Sequence, residues 1–170
     1  MKESAAASAA ERRGDAAARV ATAAVYAEGR ATMAHPGRME ETMIVRSLDE
    51  VTGTDRDVAG DGWRSRRLLL RRDGLGFSLH DTTVAAGADL ELEYRHHLEA
   101  CYCVEGEAEL TDLASGETHP IRPGTVYALD KHDRHRLQVR SDLRLVCVFN
   151  PALTGAETHD ETGSFPPPDD

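Results

Sequence analysis

The sequence predicts an all-β fold, a sandwich or a jelly-roll barrel, on three observations. Short runs rich in Val, Leu, Tyr and Phe recur from Met43 onward. Turn pairs punctuate them, and no interval has the length and 3.6-residue period of a long helix. Strands are expected at 43–48, 63–71, 75–84, 89–95, 99–104, 107–112, 117–121, 124–129, 134–140 and 142–149.

The turn chemistry justifies the boundaries in order. Asp73-Gly74 separates 63–71 from 75–84, and Ala86-Gly87 separates 75–84 from 89–95. Glu105-Gly106 divides 99–104 from 107–112, Ser115-Gly116 follows 107–112, and Pro123-Gly124 opens 124–129. The basic string "RSRRLLLRR" alternates, so it reads as a strand with one charged edge. The closing "ETGSFPPPDD" is Pro-rich and acidic, and residues 164–170 are expected to form a mobile tail.

Composition excludes several function classes. Twenty Lys and Arg stand against 30 Asp and Glu, a net charge of −10, whereas a nucleic-acid binder needs a basic face. No stretch approaches the roughly 20 apolar residues of a membrane span, and no secretory signal core is present. Three cysteines (Cys101, Cys103, Cys147) cannot all pair, and a reducing compartment would keep them as thiols. The expectation is a cytoplasmic chain with one domain, no nucleic-acid partner and no membrane.

Residues 1–42 differ in kind. Fourteen of them are Ala, with six basic and six acidic residues, so the whole net charge lies in 43–170. This stretch has few large apolar residues to bury. It is expected to be a flexible N-terminal extension, or the product of an over-long start with Met43 as the true first residue. The barrel is then expected over 43–163.

The segment "GADLELEYRHHLEACYCVEG" (87–106) resembles the first cupin motif in spacing. Gly87, five residues, Glu93-Tyr94-Arg95, three residues, Glu99, six residues and Gly106 follow it, but Glu93 and Arg95 replace its two His. Gly116 to Gly124 keeps the second motif's length, with Pro123 one place late and Tyr127 at the His position. Alternation along strands puts Glu99 on one face with Cys101 and Cys103, Tyr127 with Leu129, and His135 with Leu137. Glu99, Tyr127 and His135 can therefore converge as carboxylate, phenol and imidazole, a set suited to Fe(II), Mn(II) or Zn(II). From pattern alone the plainer alternative stays open: a core tyrosine, a salt-bridging glutamate and a surface histidine.

Longer strings carry a more specific likeness. "MIVRSLDEVTGTDRDV", "WRSRRLLLRRDGLGFSLHDTTV", "YRHHLEACYCVEGEAE", "PIRPGTVYALDKHDRHRL" and "LRLVCVFNPALTGAETHDETG" resemble the ectoine synthase family, a cupin family, over nearly all of 43–163. That resemblance implies a cupin-type jelly-roll β-barrel and a homodimeric, iron-dependent enzyme of compatible-solute biosynthesis. It implies cyclisation of N4-acetyl-L-2,4-diaminobutyrate to ectoine with loss of water. It also implies Glu99, Tyr127 and His135 as ligands of Fe(II). The implied substrate pocket comprises Trp63, Arg67, Thr82, Tyr94, His97, Cys147 and Phe149, with Glu157 and His159 as catalytic candidates. At one pocket position, often Asn in the family, this chain carries His80. Within that picture Arg67 is a natural anchor for a carboxylate, and Trp63 and Phe149 are dry walls.

Other residues receive plainer expectations. His96 and His97 face opposite sides of a strand, His97 sharing parity with Glu99 and His96 belonging to the surface. His132 is read as a solvated loop residue, and Cys101 and Cys103 as buried core thiols. Two rival functions are a cupin dioxygenase, against which the missing His residues count, and a metal-free cupin that binds a small solute.

Overall fold

The computed structural model describes residues 43–168. The expectation for residues 1–42 lies outside the described residues. Within them the elements are α1 (Leu48–Val51), β1 (Asp57–Gly60), β2 (Trp63–Leu69), β3 (Ser78–Val84), β4 (Asp89–Leu92), β5 (Leu98–Asp112), β6 (Thr118–Ile121), β7 (Val126–Leu129) and β8 (His135–Asn150). The all-β expectation holds, since α1 is one turn and a short 3₁₀ turn at Arg71–Asp73 is the other helical piece. Every strand pair is antiparallel, in the order β1-β2-β3-β8-β5-β6, with β4 also on β8 and β7 on β5.

Two differences from the sequence expectation concern length. The strands expected at 99–104 and 107–112 are one strand, β5, because Glu105-Gly106 forms a bulge rather than a turn. Gly106 has φ +87°, and a Cβ there would lie 2.1 Å from the Asp142 carbonyl oxygen, so only glycine fits. The strands expected at 134–140 and 142–149 are likewise one strand, β8, which keeps its inward parity from His135 to Phe149 past an exposed Arg140–Asp142.

The expected strand at 43–48 is absent. Met43 and Val45 are exposed, and Ser47 caps α1 in a box with Glu50: the Glu50 N–H donates to Ser47 Oγ, and the Ser47 N–H donates to Glu50 Oε2 at 2.6 Å. The segment is tied down instead by Asp73, which accepts from Arg46 at 3.1 Å, from Arg56 at 3.2 Å and from the Leu70 N–H at 2.8 Å. Strand β1 was not expected, because "DVAG" carries no apolar alternation; it forms by pairing with β2.

The core follows from alternation. Leu110 of β5, Ile121 of β6, Leu129 of β7 and Leu137, Leu143 and Leu145 of β8 are buried in one cluster. Each such side chain contributes about 1.5–3 kcal/mol when fully buried. The chain after β8 adds to this cluster. Leu153 is fully buried, its carbonyl accepting from the Arg71 N–H at 2.8 Å and its N–H donating to Ser78 Oγ at 3.2 Å. The tail expected from 164 does not start there. Ser164 and Phe165 are 2% and 4% exposed, and Phe165 belongs to the core cluster.

Candidate active site

Strand register brings the chemistry-bearing groups together. Glu99 and Cys101 are two residues apart on β5 and therefore share a face. Cys147 of β8 and Tyr127 of β7 both pair with Cys101 from opposite sides. Cys101 Sγ lies 3.2 Å from Glu99 Oε1 and 3.2 Å from Cys147 Sγ. Burial pushes the Glu99 carboxyl up to about 7, and burial first, then the neighbouring thiols and Glu99, raises the Tyr127 phenol well above its ordinary value.

His135 opens β8 and is buried. Its Nδ1–H donates to the Asp133 carbonyl at 2.9 Å, which leaves the Nε2 lone pair free as a ligand atom. Burial lowers the imidazole pKa, favouring that neutral form. Glu99, Tyr127 and His135 all line one narrow cavity with about 50 Å³ of free volume. A carboxylate, a phenol and a neutral imidazole lining one cavity are a donor set of the kind that suits a borderline divalent ion.

Six of the remaining candidates line the same cavity: Trp63, Thr82, Tyr94, Cys147, Phe149 and His159. His159 Nε2 lies 2.9 Å from the Tyr94 hydroxyl. Burial, reinforced by the Arg67 charge, holds His159 down at about 4, so it is neutral at pH 7. Burial also raises the Tyr94 phenol well above its usual range, so Tyr94 is the donor and His159 the acceptor. His80 lines the cavity too, with Nδ1 3.1 Å from Ser65 Oγ and a buried Nε2 that has no partner.

Three candidates do not reach the cavity. The Arg67 guanidinium is fully buried and held by Glu157, through Nη2 to the backbone carbonyl at 2.6 Å and Nη1 to Oε2 at 3.4 Å. Glu157 in turn accepts from the Thr154 N–H and hydroxyl, each at 2.6 Å, and from the Gly155 N–H at 2.8 Å. Burial alone would raise its pKa; these hydrogen bonds bring it below the ordinary carboxylate value. His97 is buried with its ring edge-on to Phe165 at 6.3 Å. His96 is exposed, as expected, whereas His132 is not merely solvated: its Nδ1–H donates to the Tyr94 carbonyl at 2.6 Å.

Sequence reasoning missed Phe165. Its ring stacks on His159 at 4.5 Å and 10°, and packs on Tyr94 at 5.0 Å and Phe149 at 5.5 Å. It fills cavity space that would otherwise be open. The one signal was a lone aromatic in a Pro-rich tail, and composition says nothing about where such a tail docks.

With this geometry in view, comparison with known proteins is specific. The ectoine synthase family model matches residues 43–169. The chain is 58% identical over 130 residues to an L-ectoine synthase of Desulfatibacillum aliphaticivorans, covering 75% of this chain and all of that protein. The crystal structure of ectoine synthase from P. lautus superposes with a TM-score of 0.67 at 55% identity, over 71% of this chain and 87% of that one. A cupin 2 conserved barrel domain protein from Salinispora arenicola, 23% identical with a TM-score of 0.51 over 64% of this chain and 89% of its own, shares the fold. The architecture is thus a cupin barrel, and the chain that builds it belongs to the ectoine synthase family.

Proposed function

We propose that this chain catalyses the cyclisation of N4-acetyl-L-2,4-diaminobutyrate to ectoine with loss of water. The observation that carries the proposal is the lining of one buried cavity by the donor set Glu99, Tyr127 and His135 together with the Tyr94–His159 pair. Family membership supplies the reaction class, and the cavity supplies groups that suit it.

The reaction joins the α-amine nitrogen of the substrate to its own acetamide carbon. The carbon–oxygen bond then breaks, and the oxygen leaves as water with the two protons of the neutral amine. Glu99, Tyr127 and His135 would hold Fe(II) or a similar divalent ion, which supplies Lewis acidity toward an amide oxygen when bound. His159, neutral because it is buried, is in the form that takes a proton from the attacking amine. At rest Tyr94 donates to His159 Nε2 at 2.9 Å. For the proton transfer that hydroxyl turns toward the departing oxygen, Nε2 takes the amine proton, and the proton passes on to the leaving water. Glu157, saturated by Thr154, Gly155 and Arg67, acts instead as the brace that fixes Arg67 and the segment bearing His159.

The cavity, at about 50 Å³, is far below the roughly 300 Å³ at which ordinary ligand pockets begin. Substrate entry therefore requires the segment carrying His159 and Phe165 to move, and its return would fold the substrate and exclude water. Trp63 and Phe149 remain the apolar walls, Thr82 and Cys147 the small polar contacts.

The proposal extends to assembly and location. Leu98, Tyr102 and Val104 project from the outer face of β5, at 40%, 49% and 41% exposure, and Val126 of β7 lies beside Tyr102 at 66%. Such an apolar strip supports a homodimer, and Tyr102→Glu should yield monomer in sedimentation velocity. Three unpaired thiols support a cytoplasmic enzyme.

The decisive assay incubates anaerobically purified, Fe(II)-loaded protein with the acetylated diamino acid and measures ectoine. Formation that collapses on chelation and in Glu99→Ala supports the proposal. Absence of product from folded, iron-loaded protein overturns it and leaves a solute-binding cupin.

A further inference from the structure

The cavity holds a second donor set, which shares Glu99 with the proposed iron site and adds two thiols. A carboxylate oxygen of Glu99, Cys101 Sγ and Cys147 Sγ all lie within 4.8 Å of one another, and all three residues are buried. The arrangement is built into the backbone: Glu99 and Cys101 share one face of β5, and Cys147 is the direct cross-strand partner of Cys101 on β8. The Sγ–Sγ and Sγ–Oε1 separations are both 3.2 Å.

A tetrahedral zinc ion with Zn–S of about 2.3 Å and Zn–O of about 2.1 Å needs edges of about 3.8 Å between sulfurs and about 3.6 Å between sulfur and oxygen. The observed separations fall short of these by about half an ångström, a change that a side-chain rotation supplies without moving either strand. Two thiolates prefer soft ions, whereas the carboxylate, phenol and imidazole set prefers harder ones. Tyr127, which pairs with Cys101, borders this set and offers a fourth position alongside water. His135 lies outside the cluster.

We propose that Glu99, Cys101 and Cys147 form a binding site for a thiophilic divalent ion, Cd(II) or Zn(II). Binding there stands on the cluster geometry alone. Its consequence rests on the proposed iron site: because Glu99 belongs to both sets, a thiophilic ion at the sulfurs takes a ligand away from iron. The enzyme is then inhibited by such ions at its own centre rather than by displacement of surface groups.

Titration of the metal-free full-length protein with Cd(II) tests this, read by thiolate-to-cadmium charge-transfer absorption in the ultraviolet. The expected result is a band that saturates at one equivalent. It should be lost in Cys101→Ser and in Cys147→Ser and retained in Cys103→Ser, Tyr127→Phe and His135→Ala. No band in folded wild-type protein overturns the proposal, as does a band that survives Cys147→Ser or disappears with His135→Ala. Should the serine variants fail to fold, cadmium X-ray absorption on wild-type protein decides: two sulfur neighbours support the site, and oxygen and nitrogen alone overturn it. Loss of ectoine synthesis with added Cd(II) tests the shared ligand separately. A band without inhibition would refute the iron-site assignment of Glu99 and leave the sulfur site standing.

Discussion

Arg67 Nη2 donates to the backbone carbonyl of Glu157 at 2.6 Å, joining the middle of β2 to a point 90 residues later in the chain. The guanidinium is fully buried, and its Nη1 also faces Glu157 Oε2 at 3.4 Å. The contact therefore fastens the segment carrying His159 to the barrel. Breaking one partner of a buried pair leaves an uncompensated charge. Glu157→Ala is expected to cost about 3 kcal/mol, seen as a lowered denaturant midpoint. It should also speed proteolytic cleavage between residues 151 and 168. An unchanged midpoint would remove Glu157 from the bracing role.

In the proposed reaction His159 is the group that moves protons. His159→Ala should lower kcat by about 10²-fold or more while shifting KM far less, measured by steady-state ectoine formation. Tyr94→Phe, which keeps the ring and removes the hydroxyl, should lose less than His159→Ala, because the acceptor persists without its orienting donor.

The metal assignment predicts a stoichiometry. Tyr127→Phe and His135→Ala should each cut bound iron well below wild type after anaerobic reconstitution, read by metal analysis of the desalted protein. Asp133 binds His135 through its backbone carbonyl, so Asp133→Ala should leave iron content unchanged. Full occupancy in Tyr127→Phe would remove Tyr127 from the ligand set.

The buried histidines set an acid limit. Burial, then the Arg67 charge, lowers His80 from 6.5 to about 3. The unfolded chain therefore binds the proton first as pH falls, and the stability present above pH 6.5 is lost from there toward pH 3. His159, at about 4, contributes with the same sign. The Tm of metal-free protein should drop between about pH 6.5 and about pH 4. His80→Asn should flatten that slope without abolishing it, since His159 remains.

Gly106 predicts a structural lesion. A side chain there needs a left-handed backbone and would press on the Asp142 carbonyl. Gly106→Ala is expected to lose more than about 2 kcal/mol. Gly74→Ala, also left-handed but in open space, should lose less. Equal melting temperatures for the two would contradict the close approach.

Much of the barrel was legible because strand parity carries direction. Glu99, Tyr127 and His135 sit at positions that alternation can turn inward, but only the pairing of β7 and β8 with β5 puts the three along one cavity. Parity alone left a core tyrosine and a surface histidine open. The joining of runs into β5 and β8 was not legible: a bulge glycine and a turn glycine make the same demand for positive φ. At the N-terminal side, the apolar run 43–45 concealed the Ser47–Glu50 capping box, which was in the sequence all along. Arg67 enters the expected pocket through the family resemblance, and neither that resemblance nor strand parity reveals that a carboxylate from position 157 has already claimed it. Phe165 was hidden for the same reason, since its place depends on a docking partner distant in sequence.

The β5–β8 ladder runs from Leu98 opposite Asn150 to Asp112 opposite His135. Every step of that ladder joins residues brought together only after the chain between them has emerged from synthesis. A nascent chain that has not yet delivered β8 holds Glu99 and Tyr127 but neither His135 nor Cys147, and one halted before Glu157 lacks the brace and the proton acceptor. Such long-range pairing is slow to form, so the proposed metal-binding set is complete only after barrel closure and cannot guide it. The candidate donor set is thus a late product of assembly: until β8 arrives, the core faces of the earlier strands wait for the same strand that carries His135.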